Sequence, residues 1–179
     1  MAWELDTAHS YIEFSAKHMM VTTVKGRFDS FHGIFDLDEE HPEQSDIDVT
    51  IDVASLNTGA AQRDGHLRSP DFFDVENNPT ARFVSKRVEK LGDERFRVVG
   101  DLTIRGATHE VPLDVTFDGF FNDMQGKRRA AFEATTAFNR NDFNLHWNVA
   151  LESGGWLVGE KVTINIEAQV IAPVEAPVA

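Results

Sequence analysis

Seven histidines and one charged segment are where chemistry could reside in this chain. The histidines are His9, His18, His32, His41, His66, His109 and His146. Local histidine spacing places two imidazoles on one divalent ion when it reads His-x-x-x-His on a helix or His-x-His on a strand. Neither spacing occurs, so no metal site is expected. The chain has no cysteine, which removes thiolate ligands, disulfides and cysteine nucleophiles. It also lacks the Gly-x-Ser-x-Gly elbow that presents a nucleophilic serine. The charged segment is Arg63-Asp64-Gly65-His66-Leu67-Arg68-Ser69-Pro70-Asp71-Phe72-Phe73-Asp74. Arg63, Asp64 and His66 could be assembled into an acid–base set, although three polar residues on one helix more simply cap, pair and meet water. No catalytic residue is assigned.

These residues sit among elements of a different character. In Ser45–Ser55, Ile47, Val49, Ile51 and Val53 share one face while Asp46, Asp48, Thr50 and Asp52 share the other. Val111, Leu113, Val115 and Phe117 oppose Pro112, Asp114, Thr116 and Asp118 in the same way, and Val162, Ile164, Ile166, Ala168 and Val170 oppose Thr163, Asn165, Glu167 and Gln169. A period of two with one dry and one wet face marks antiparallel strands. Ile12, Phe14, Ala16 and His18 form a shorter set, as do Phe96, Val98, Gly100, Leu102 and Ile104, and Phe132, Ala134, Thr136 and Phe138. His18 therefore falls on an apolar parity, as a core histidine or as a polar anchor for a ligand. Residues 26–38 are apolar on both parities, and their inner face is left open. A further strand spans Thr80 to Lys90.

About eight strands result, several of them ten residues or longer against the usual five or six. Long strands with one wet face fit an up-and-down barrel, which has no free edges; a sandwich is the alternative. The helical insert is expected over Ala60 to Val75, started by Asn57 or Thr58, with Asp64 and Arg68 four apart on one face and a second start at Ser69-Pro70-Asp71. It either plugs one barrel end or also lines a cavity mouth, with Phe72 and Phe73 packed inward. A helical or looped piece is expected near Trp147 to Gly155. Residues 1–172 read as one domain, followed by a frayed tail at 173–179.

Composition narrows the function. Thirty Asp and Glu against 17 Lys and Arg give a net charge of −13, which as a whole repels phosphate backbones and anionic lipid head groups and argues against nucleic-acid binding. No apolar run is long enough to cross a bilayer. The N-terminus carries no signal-peptide pattern, so a cytoplasmic location is expected, or a periplasmic one if the chain is a processed form. An eight-stranded barrel is either filled by its own side chains or holds one small ligand. The small strand residues Ala16, Gly33, Gly100, Ala134 and Ala168 are expected to leave a bore, suited to a long apolar molecule with a polar end. A filled barrel acting as an interaction module and an enzyme using His18 inside the cavity are the other readings.

Several stretches together resemble the YceI-like, polyisoprenoid-binding proteins. They are DTAHSYIEFSAKHM, GRFDSFHGIFDLD, SLNTGAAQRDGHLRSPDFFD, PTARFVS, GDLTIRGATHEVPL and NRNDFNL. The resemblance implies an all-β, eight-stranded antiparallel, lipocalin-like barrel with a short helical insert beside one end. Its lumen would hold a long isoprenoid chain, a polyisoprenoid or an isoprenoid quinone, as ligand rather than cofactor. It also implies a possible homodimer, and membrane contact that is at most transient. Inward parity selects Phe14, Ile51, Ile104, Leu113, Val115, Phe138 and Ile164 for the lumen. His18, Arg63, Asp64, His66 and Arg140 are the polar candidates for the mouth and helix.

Overall fold

Alternation of Val, Ile, Phe and Thr with charged residues dictates strands over most of the length, and strands dominate the computed structural model, which describes residues 2–174. The tail expected to fray lies outside the described residues from position 175. The described residues form eleven strand segments: β1 (Ala2–Leu5), β2 (Tyr11–His18), β3 (Thr22–Phe28), β4 (Phe31–Asp36), β5 (Asp46–Asp52), β6 (Leu56–Asn57), β7 (Thr80–Lys90), β8 (Arg95–Ile104), β9 (Ala107–Asn122), β10 (Arg128–Asn139) and β11 (Val158–Ile171). One α-helix, α1 (Ala61–Arg68), lies between β6 and β7.

These segments make a closed eight-stranded antiparallel barrel. β1 and β2 run one after the other along β11, Glu4 opposite Ile171 and Ile12 opposite Ile166. β3 and β4 together flank β2 and β1, and β6 and β5 flank β3 and β4. The first six segments are thus three interrupted staves, and β7 to β11 are five continuous ones. The β1–β11 pairing shuts the ring, so the sandwich alternative does not hold.

The interruptions explain why residues 26–38 read as apolar on both parities. Gly26 and Phe28 face inward on β3; the chain then passes Asp29-Ser30, and Phe31, Gly33 and Phe35 face inward on β4. Two intervening residues flip the phase, because the strand period is two. The same happens at register shifts between Ser85 and Arg87 on β7, and on β9 opposite Ala131/Phe132. Inward apolar residues move there from Phe83 to Val88 and from Phe117 to Phe120.

The insert is shorter than its sequence implies. α1 ends at Arg68, and Ser69 to Phe73 form turns in which the Ser69 Oγ accepts from the Asp71 N–H at 3.3 Å. Neither Asn57 nor Thr58 caps the helix; Ala60 holds that position without a side-chain bond. Asp64 accepts from the Thr58 N–H at 3.0 Å and its hydroxyl at 2.5 Å. Arg68 donates to the Ala54 and Leu56 carbonyls, each at 2.9 Å. Asp64 and Arg68 thus tie α1 to the preceding loop rather than to each other.

Candidate functional site: the barrel lumen

The inner surface of the barrel is apolar but not fully packed. Phe14, Ile47, Val49, Ile51, Val115, Phe117, Phe132, Phe138, Ile164 and Ile166 all point inward and are all only partly buried. Inward side chains of a solid barrel would be shut away from solvent; these border a cavity of about 460 Å³. That size lies within the range of about 300–1,000 Å³ typical of ligand pockets. Ala16, Ala134 and Ala168 line it and leave width where larger residues would close it. Gly100 and Gly33 do not act that way. A Cβ on Gly100 would meet the Phe83 ring at 2.6 Å and the Val84 carbonyl at 2.5 Å. The glycine therefore admits Phe83 rather than opening the bore, and Val49 and Phe35 similarly crowd Gly33.

One end of the cavity is closed. Leu67, Phe72 and Phe73 from the insert, with Leu145 and Arg140, form its floor. Phe73 packs edge-on to Phe28, and Phe72, His66 and Trp147 form a ring cluster with centroids 4.6–5.3 Å apart. The opposite end is lined by Asp38, Glu39, Glu40, Pro42, Ser45, Lys90 and Asp93, residues of exposed turns, which makes it the polar mouth.

Among the described residues Arg140 is the one fully buried cation, 3% exposed. It starts a short 3₁₀ turn, Arg140–Phe143, at the end of β10. Its guanidinium donates to the carbonyls of Gly159 (2.8 Å), Leu145 (2.5 Å), Trp147 (2.9 Å) and Val158 (3.3 Å). Burial pulls it below its ordinary value, with Glu160 opposing that pull. Its partners are neutral, so the charge is solvated by peptide dipoles while it pins residues 145–159 across the floor. Four residues earlier on β10, the buried Thr136 Oγ1 has no hydrogen-bond partner.

The sequence-selected residues divide cleanly. Phe14, Ile51, Ile104, Leu113, Val115, Phe138 and Ile164 all line the cavity, as do Phe72, Phe73 and Arg140. His18, Arg63, Asp64 and His66 are not part of its wall. His18 is half-buried at the end of β2 opposite Val158. Arg63 donates to the Thr58 hydroxyl (2.7 Å) and carbonyl (2.8 Å), and His66 pairs with Asp71 at 2.9 Å. These three side chains brace the insert from outside. Phe31, Phe35, Phe83, Phe120 and Val162 also line the cavity. Val162 was legible from parity alone, whereas Phe31 and Phe120 lie past phase changes that alternation does not reveal. Among the described residues no group of three or more His, Asp or Glu gathers to hold a metal ion. No helix there is long and apolar enough to cross a membrane.

A closed barrel with one polar mouth, an apolar bore and a helical insert across the far end has the architecture of a small barrel with an internal cavity. Residues 3–170 match the model of the YceI-like domain, and the protein belongs to that family. A UPF0312 protein of Staphylococcus epidermidis is 38% identical over 168 residues, spanning 93% of this chain and 95% of the relative. Among solved structures, Burkholderia cenocepacia BcnA is similar at a TM-score of 0.79 and 27% identity, covering 92% of this chain and 98% of its own. A polyisoprenoid binding domain from Saccharophagus degradans shares the fold at a TM-score of 0.69 and 17% identity, covering 96% and 98% of the two chains.

Proposed function

We propose that this protein holds one long isoprenoid chain, a polyisoprenoid or an isoprenoid quinone, in the barrel lumen for carriage, storage or sequestration, without catalysing a reaction. The observation that carries the reading is the ring of partly buried apolar side chains around the cavity. Such a surface gains about 0.8 kcal/mol for each methylene it takes from water, so a chain of tens of carbons outweighs the ordering cost of binding. The name of the Saccharophagus degradans domain points the same way. Phe14, Ile51, Ile104, Leu113, Val115, Phe138 and Ile164 contact the chain, Phe72 and Phe73 meet its buried end, and its polar group sits at the mouth among Asp38, Lys90 and Asp93.

The test is organic extraction of purified protein with mass spectrometry of the extract, together with uptake of a long-chain isoprenoid quinone by delipidated protein. One chain per barrel is expected, and Ala134→Phe, which inserts a ring into the bore, abolishes uptake while leaving the barrel folded by circular dichroism. Failure to bind any isoprenoid, or undiminished uptake by Ala134→Phe, overturns the proposal.

A further inference from the structure

The β2–β3 hairpin spends backbone conformation to display apolar side chains. Its turn is closed by the Val21 N–H on the His18 carbonyl at 3.2 Å, and both corner residues, Met19 and Met20, have left-handed φ of 53° and 64°. These are the two positions at which Asn-Gly is favoured, because a Cβ there is strained. Methionines occupy them instead, 51% and 65% exposed, followed by Val21 at 76%. Val149 at 46% and Trp156 at 54% complete the patch. The Met19 N–H donates to the Leu157 carbonyl at 2.7 Å, and the Leu157 N–H donates to Val149 at 2.9 Å. Met20 lies across Gly155, where a Cβ would sit 2.1 Å from its sulfur.

Charge separates this patch from the other exposed apolar cluster of the barrel. No carboxylate occurs between Glu13 and Asp29, the longest acid-free run in a chain of net charge −13; the run contains Lys17 and Lys25, while its third cation, Arg27, is paired with Asp29 at 2.9 Å. Lys17 and Lys25, with nearby Lys161, make no ion pair among the described residues, while Glu152 and Glu160 lie at the border. The other exposed apolar cluster, Phe120, Phe121 and Met124, stands beside Arg128 and Arg129, and both arginines are neutralised, by Glu39 and by Asp6 with Asp123.

We propose that the Met19-Met20-Val21 tip, with Val149 and Trp156, docks the protein on anionic lipid bilayers. Flexible methionines and an indole enter the headgroup layer, and the flanking lysines meet lipid phosphates. A second copy is a poorer occupant, because a two-fold contact would set the lysine-flanked tips against each other. The inference stands on the surface alone and does not depend on what the lumen holds.

The experiment is vesicle flotation of the full chain with phosphatidylcholine vesicles, pure or containing a third phosphatidylglycerol, while Trp156 fluorescence is followed against a Trp156→Phe control. Binding only to the anionic vesicles, a blue shift lost in the control, and release by high salt are expected. Met19→Asn/Met20→Gly supplies the residues the turn favours, so the fold keeps its melting temperature while vesicle affinity falls at least about tenfold; Lys17→Glu/Lys25→Glu loses about as much. Equal binding to both vesicle types, retained binding by the Asn-Gly variant, or a patch that proves by sedimentation to hold a dimer overturns the proposal.

Discussion

The two ends of the barrel are held by arginines in opposite ways. At the floor, Arg140, Arg68 and Arg105 donate to backbone carbonyls: Arg105 reaches Phe72 at 2.5 Å and Asn144 at 3.2 Å, and Arg140 spans four carbonyls of residues 145–159. At the mouth, arginines meet carboxylates: Arg129 joins Asp6 and Asp123, and Arg128 joins Glu39 at 2.8 Å. Carbonyl acceptors do not titrate and carboxylates do. The arginine contacts that close the floor thus do not titrate, and the mouth is tied by pairs that acid can undo.

The largest effect is expected at the floor. Arg140→Leu takes this donor from the buried Leu145 carbonyl and from the part-buried Gly159 and Trp147 carbonyls, while Val158 keeps Asn148; a buried acceptor left unpaired costs about 1–3 kcal/mol. A loss of about 3–5 kcal/mol in urea unfolding is expected, with faster amide exchange across 145–159. A loss below about 1 kcal/mol would mean the clamp is ornamental. Next in size is Gly100→Ala. Its Cβ would press on the Val84 carbonyl, which belongs to the sheet and cannot give way; overpacking of about 1–3 kcal/mol is expected by thermal melting.

The mouth is tested by acid. Burial raises Asp6, but its bonds from Arg129, His9 and the Ala8 N–H more than offset this and hold the carboxyl below its ordinary 3.8. Arg129 holds Asp123 low as well, against an opposing burial effect. For carboxylates depressed in the folded state, the stabilisation is present above the unfolded value and lost as pH falls through the folded one. Stability therefore declines below about pH 4, and Arg129→Met, destabilising at neutral pH, flattens that decline. An unchanged acid limb in the variant would break the assignment. The smallest effect is a gain: Thr136→Val replaces an unpartnered buried hydroxyl with a methyl, and a rise of about 1 kcal/mol is expected in urea unfolding.

Much of this fold can be read from alternation, because β7 to β11 are long and one face of each is wet. Where the first three staves break, alternation fails. Residues 26–38 cannot be phased without knowing that Asp29-Ser30 lies between two strands with different partners. The seven lumen residues chosen by parity line the cavity, since inward direction is a local property of a strand. The polar choices fare differently. Arg63, Asp64 and His66 look like site residues because they are charged and clustered, yet their partners are local and brace the insert. Arg140 meets carbonyls up to 19 residues away, a set that no spacing encodes.

The account rests on a hollow interior that receives a chain. Methyl-resolved NMR during titration with an isoprenoid quinone tests this most directly. The methyls of Ile51, Ile104, Leu113, Val115 and Ile164 should shift to saturation at one equivalent, while Ile34 and Val149 on the outer surface stay in place. Shifts confined to the outer methyls, or none at all, would contradict it.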